Sequence, residues 1–428
     1  MARLRCLATS ITAAEPLFLV VALVCLVLLP LRFAPMGLGV MAVAWLARWL
    51  ATGRVGVRSP ADWSLVVLLV MVPVTLYVTP LPEVTWRALA YLAAGLLTYS
   101  SLVFWAHNQR RLGLAAWGLM AVGVALVLIA PVSVKWPASG KMAFIPAGIC
   151  PAMPLLLPDP IHPNVMAGAL ALILPLPLAL LLLGSQDIVE GLPRWLRRPW
   201  LVRGVRVVLA IAWLMMAAVL ALTKSRGGYL ATAAGILVLL IVWRRWAALS
   251  LLVVAEGIAL AWSRLGGAGL VDFLVSTHSI YGWEGRRAVW LQGVDMIRSA
   301  PLTGVGMGLY PFLVASGGSI DHVHNLVLQV GVDLGLPGLV AYLALWLTCL
   351  VMAWRAYAAY RKARHMGLAA LAAGVGTSLV VMGLHGLVDA VTWGTKPAVV
   401  AWAMMGLAIA LHRYAHQRAA TTPEQKRQ

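Results

Sequence analysis

Three stretches of this chain combine ionisable side chains with neighbours that could put them to work. In "TKSRGGYLA", residues 223–231, Ser225 is placed to cap a helix whose free amides near Arg226, Gly227 and Gly228 would hold an anion together with the guanidinium. A cation snorkelling to lipid headgroups, above two glycines used for close helix packing, would explain the same residues. In "YGWEGRRAVWLQGVDMIRSAPLTGVGMGLYPF", residues 281–312, Arg286, Arg287 and Arg298 stand with Tyr281, Trp283, Trp290 and Tyr310. Guanidinium groups grip phosphate oxygens in bidentate fashion, and aromatic faces suit sugar rings or lipid headgroups. An interfacial amphipathic segment with an aromatic belt has the same composition.

The third stretch, "IDHVHNLVLQVGVDLGLPGL" at 320–339, runs two histidines into a long apolar segment. A histidine at the positive terminus of a helix is favoured as neutral imidazole, the form that can accept a proton, so His324 is a candidate general base. A bland interfacial histidine is the alternative. A metal held by Asp321, His322 and His324 is a further one, although their crowding matches no familiar ligand spacing. Gly331, Gly335 and Gly338 would let a neighbouring helix approach closely, and Asp333 inside the span needs a partner or a water-filled cavity. In "LPDPIHPNVMAG", the prolines explain a turn and Asn164 reads as an ordinary cap for the helix that follows, with a substrate contact as the lesser reading.

The elements that must position these residues are membrane helices. The chain of 428 residues is 62% hydrophobic and 11% charged, which excludes a soluble multidomain protein. Apolar runs predict an all-α polytopic protein with about twelve spans, at 16–33, 35–50, 61–80, 86–106, 112–131, 165–184, 205–223, 226–243, 246–262, 325–353, 367–388 and 391–412. The net charge of +19 comes from basic residues in short loops, so it reports topology, with no nucleic-acid partner implied. Most of the 33 Lys and Arg fall on one side if both termini are cytoplasmic. That orientation puts 132–164, the turn at Arg226 and a long loop, 263–324, on the outer side, in one membrane domain spanning 1–428. "RRAVWLQGVDMIRS" in that loop spaces Val289, Trp290, Val294 and Ile297 as a helix that would lie along the membrane surface. The first apolar run is expected to be an uncleaved span, and the four scattered cysteines imply no disulfide framework.

The pieces "HPNVMAG", "SRGGYLA", "GRRAVWLQGVDMIRSAPLTGVGMGLYPF" and "HVHNLVLQVGVDLGLPGL", in that order, resemble the O-antigen ligase and polymerase superfamily of bacterial membrane glycosyltransferases. The resemblance implies transfer of a glycan from an undecaprenyl pyrophosphate carrier to an acceptor hydroxyl outside the cytoplasmic membrane. It further implies inversion at the anomeric carbon, no metal and no cofactor. The acceptor would be lipid A core, another glycolipid or a glycan. On the matching positions, His324 would be the catalytic base and Arg226 and Arg286 would hold the pyrophosphate, with help from Arg287 and Arg298. Asn325, Asn164, Tyr281 and Trp290 complete the expected substrate contacts. The superfamily often has glutamate where Asp333 stands, which weakens any role carried over to that position. A polymerase of lipid-linked repeats would use the same residues. A secondary transporter also fits many spans with both ends inside, but no half-and-half repeat and no intramembrane ion relay supports it.

Overall fold

Long apolar runs with no hydrogen-bonding partner but their own backbone must close their hydrogen bonds as helices, and the apolar runs among the described residues do so. The computed structural model describes residues 2–136, 160–184, 199–244, scattered positions in 246–260, 283–314 and 321–421. The helices are α1 (Ala2–Ala13), α2 (Glu15–Leu23, continuing as a π turn through Leu28), α3 (Ala34–Thr52), α4 (Asp62–Val78), α5 (Pro82–Trp105) and α6 (Gln109–Ser133). There follow α7 (Pro163–Ile173), α8 (Pro175–Leu183), α9 (Pro199–Leu222) and α10 (Arg226–Trp243). The last five are α11 (Trp283–Ser299), α12 (Tyr310–Leu313), α13 (Leu326–Lys362), α14 (Met366–Gly386) and α15 (Ala398–Thr421).

The protein is a multi-pass membrane protein. Among the described residues nine helices are long and apolar enough to cross a bilayer, or ten if Arg5–Ala13 and Glu15–Leu28, bent by 58°, form one span. This is fewer than the twelve expected. α4 has 17 residues and falls just short, and the expected span 246–262 is described only at scattered positions. The expected outer loop 263–324 is described only at 283–314 and 321–324. The last expected span, 391–412, starts at Ala398 instead. Residues 387–397 form turns, because Gly394 takes a left-handed φ of 62° and Pro397 follows, so "VDAVTW" joins no helix despite its apolar look.

The interior is built from α7–α8, α14 and α15, whose Ala- and Gly-rich faces allow backbones to approach closely. A Cβ added to Gly95 of α5 would lie 2.2 Å from the Trp402 ring of α15, so that contact requires glycine. The two ends of the bundle differ in charge. At one end, around the C-termini of α3, α8, α10, α13 and α15, lie Arg54, Arg58, Arg110, Arg111, Arg244, Arg361, Lys362, Arg364 and Arg418. At the opposite end, the N-termini of α7, α10 and α13 meet the 387–397 turns and α11.

Candidate active site

Two helices enter this end by the same device. Lys224 and His324 both hold left-handed backbone (φ 54° and 52°), an unusual state for side chains with a Cβ, and each is followed by an N-cap. Ser225 Oγ accepts from Gly228 N at 3.4 Å, and Asn325 Oδ1 accepts from Leu328 N at 3.1 Å. The sharp turn lets the cap sit at the helix mouth, and at α13 it leaves the His324 side chain beside Asp389. α7 is capped by His162, whose Nδ1 accepts from Asn164 N at 3.2 Å. The cap expected at Asn164 is thus two residues early in the chain, because Pro163 takes the first helical position and leaves the residue before it as the cap.

α11 forms over the expected amphipathic segment, but its apolar side faces protein. Val289 is buried, a Cβ on Gly293 would lie 2.8 Å from Val323, and one on Gly331 would lie 2.7 Å from Ile297. The helix therefore lies across the first turns of α13, and Trp290 Nε1 donates to the His324 carbonyl at 3.3 Å. This helix carries Arg286 into the site. Arg287 is exposed, and Arg298 pairs with Asp295 at 3.4 Å on the solvent side. Arg298 lies about 18 Å further along the helix than Arg286, so it does not join the cluster. Tyr281 lies outside the described residues.

The centre of the cluster is Asp389, in the turn after α14. Its Oδ1 receives His322 Nε2 at 2.6 Å and lies 3.9 Å from His324 Nδ1. The two imidazoles are tilted against each other with ring centres 4.2 Å apart. Asn325 Nδ2 donates to the Leu387 carbonyl at 3.1 Å, so this amide caps α13 with its oxygen and ties the histidine turn to the Asp389 turn with its nitrogen. α10 and α7 press onto the same segment: a Cβ on Gly227 would sit 2.6 Å from Val388, and one on Gly168 would sit 3.1 Å from His385. Arg226, in the first turn of α10, is brought close enough to Arg286 for their charges to act on each other. Arg286 and His162 act in the same way on His324.

These charges set the protonation states. Burial pushes the Asp389 carboxyl up, but its hydrogen bond to His322 and the neighbouring imidazoles hold it well below the usual carboxylate range. Burial likewise lowers the His322 imidazole, yet the Asp389 hydrogen bond and charge outweigh it and raise His322 above its ordinary value. His324 is pushed down to about 4, first by burial and then by the nearby His322, against the pull of Asp389. At neutral pH it is an uncharged imidazole. Its buried Nδ1 has no hydrogen-bond partner among the described residues. The Arg286 guanidinium is lowered by burial and by Arg226, with Asp389 acting in the opposite direction.

His322, His324 and Asp389 bring three potential metal-ligand atoms within 4.8 Å of one another. Two observations make a dication a poor fit. The His322–Asp389 hydrogen bond already uses one ligand atom from each of two of these residues, and two arginines border the group. The arrangement suits proton handling beside an anion.

Asp389 and His385 were not singled out from sequence. The signal lay in "HGLVDAVTW", where a carboxylate sits between two spans at the end that holds the other chemistry.

Residues 210–343 match the O-antigen ligase family. That segment carries Arg226, Arg286 and His324, and leaves Asp389 outside. No curated protein matches the chain. Among solved structures, a chain from a peptidoglycan synthase complex, described for its structural coordination of polymerization and crosslinking, is similar with a TM-score of 0.41 and 21% identity, over 83% of this chain and 98% of that one. The match at 210–343 supports the O-antigen ligase superfamily for this part of the chain, a family that suggests a membrane enzyme of glycosyltransferase type.

Proposed function

We propose that this protein transfers a glycan from an undecaprenyl-pyrophosphate carrier to an acceptor hydroxyl, in the manner of an O-antigen ligase, at the outer face of the cytoplasmic membrane. The observation that carries this reading is the cluster itself: two guanidinium groups, a neutral histidine and a His–Asp pair gathered where three helix N-termini meet. The side assignment is supported by the basic residues at the opposite end of the bundle, which favour that end for the cytoplasm.

In this reading Arg226 and Arg286, with the amides at the mouth of α10, hold the diphosphate. The carboxylate facing His324 Nδ1 favours the tautomer with its proton on that nitrogen, leaving Nε2 with the free lone pair. The acceptor O–H gives its proton to Nε2 as its oxygen bonds to the anomeric carbon from the face opposite the diphosphate. The bond from that carbon to the diphosphate oxygen breaks, and the electron pair leaves with the diphosphate, where the arginines take up the growing charge. Inversion follows from the single displacement. Asp389 stabilises the positive charge that His324 gains, and Trp290 and Asn325 hold the histidine turn in place. Two cations on the leaving group supply what a divalent ion would otherwise provide, so a chelator should leave transfer unchanged.

The test is incubation of purified protein with lipid-linked oligosaccharide and candidate acceptors, following released undecaprenyl pyrophosphate and product size. A single addition supports ligation and a ladder supports polymerisation of repeats. No release with any acceptor would refute transfer and leave a transport or binding role.

A further inference from the structure

α13 is broken near its start. Gly335 takes φ 67° and ψ −173°, and Pro337 has no N–H to continue the ladder. The short arm before the break, residues 326–334, is thus a separate lever carrying the histidine turn at its tip. Its freed backbone groups are met by the loop after α11: Val305 N donates to Val332 O at 2.8 Å, and Leu336 N donates to Pro301 O at 2.7 Å. That fit is tight, since a Cβ on Gly304 would lie 2.6 Å from the Asp333 backbone.

Inside this joint sits the fully buried Asp333. Its Oδ1 accepts from Gly308 N at 3.2 Å and from Gln329 Nε2 at 3.0 Å, and its Oδ2 accepts from Trp393 Nε1 at 2.9 Å. Gln329 Oε1 in turn accepts at 2.9 Å from Val323 N, the amide between the two histidines. Each route leads to a segment that carries site chemistry. Gln329 reaches the histidine turn, Trp393 lies four residues past Asp389, and Gly308 belongs to the loop that continues from the Arg286 helix.

We propose that Asp333 is a positioning residue for glycosyl transfer, a single buried carboxylate that sets the register among the histidine turn, the Asp389 turn and the Arg286 helix; the inference rests on the transfer reading above. A buried charge is a costly way to fill space, and apolar side chains of similar volume often stabilise a fold as well or better. What a carboxylate adds here is direction. It fixes three N–H groups from three separate segments at once, and groups held this way keep a reacting pair within the tolerance that catalysis demands. Trp393 is further held edge-on by Tyr342 of the long arm of α13, with ring centres 4.8 Å apart, so its N–H is firmly aimed.

The experiment uses the full-length protein with lipid-linked oligosaccharide donor and measures kcat, donor KM and the thermal midpoint for Asp333→Asn, Trp393→Phe and the double variant. Asp333→Asn keeps an acceptor for Gly308 and Gln329 but turns an N–H toward the Trp393 N–H. Trp393→Phe removes the same bond from the other side while keeping the packing on Tyr342. Each single variant is expected to lower kcat by about 10-fold or more, with donor KM within about twofold, because the arginines stay in place. The double variant should be no slower than the slower single one. If Asp333→Asn does not accumulate, Gln329→Leu cuts the link to the histidine turn and should show the same loss in kcat at constant KM. Wild-type kcat in these variants, or losses that multiply in the double variant and follow the thermal midpoint, would overturn the proposal and leave Asp333 as a packing residue. A wild-type protein that transfers nothing would instead overturn the transfer reading, and this one with it.

Discussion

Two arginines at opposite ends of the bundle, Arg48 buried and Arg286 half-buried, are treated differently. Arg48, at the basic end, is held on each of its three side-chain nitrogens: it pairs with Glu15 through both of that residue's carboxylate oxygens, its Nη1 donates to Val55 O at 2.6 Å, and its guanidinium lies 4.0 Å over the Phe104 ring. Arg286, at the other end, lies within range of a second arginine's charge, and the buried carboxylate near it, Asp389, is already hydrogen-bonded to His322. A cation held on every nitrogen locks helices together. On the transfer reading, an arriving diphosphate would face both guanidinium groups at this end. On the proposed function, the difference separates structural charge from charge that meets a ligand.

The sharpest way to break this contrast is to remove the base at the second end. His324→Ala is expected to lower kcat by about 10²- to 10⁴-fold with donor binding retained, measured by release of undecaprenyl pyrophosphate. Next, Arg226→Lys or Arg286→Lys should cost about 10²- to 10³-fold in kcat/KM, since a point charge cannot replace a bidentate fork on the leaving group. The pH profile sharpens it further. Transfer needs His324 unprotonated and its pKa lies at about 4, so kcat/KM for the free enzyme should stay level from pH 7 to 5 and fall only as pH drops toward 4. An acid limb centred at the usual histidine value of about 6.5 would contradict the environment described for this imidazole.

At the first end the expectation reverses. Arg48→Ala leaves Glu15 buried without its partner and should destabilise the protein by about 3–5 kcal/mol, seen as a lower thermal midpoint, while the folded fraction transfers at the wild-type rate. Arg298→Ala, on the exposed side of α11 opposite a solvent-screened Asp295, should change transfer by less than about twofold.

How far these two ends could be read from the residues alone follows from the range of each signal. The all-helical membrane fold was legible because a run of apolar residues is a local property. Arg226, Arg286 and His324 stood out because a cation or imidazole beside a helix start is also local. Asp389 was hidden because the apolar "GLVDAVTW" leaves only a two-residue gap between expected spans, until Gly394 and Pro397 are seen to widen it into turns. The cap at His162 was misplaced by two residues through the same cause, a proline that shifts where the helix begins. Asp333 was noticed as a buried carboxylate in need of partners, but those partners come from Gly308, Gln329 and Trp393, and only the fold brings these three together.

The most direct measurement is equilibrium binding of undecaprenyl pyrophosphate, the leaving group itself, to wild-type protein, to His324→Ala and to an Arg226→Gln/Arg286→Gln double variant, all in chelator. The account predicts equal affinity for the first two and a loss of at least about 100-fold in the third. Undiminished binding by the double variant would show that the two guanidinium groups do not hold the diphosphate, and would contradict the account at its centre.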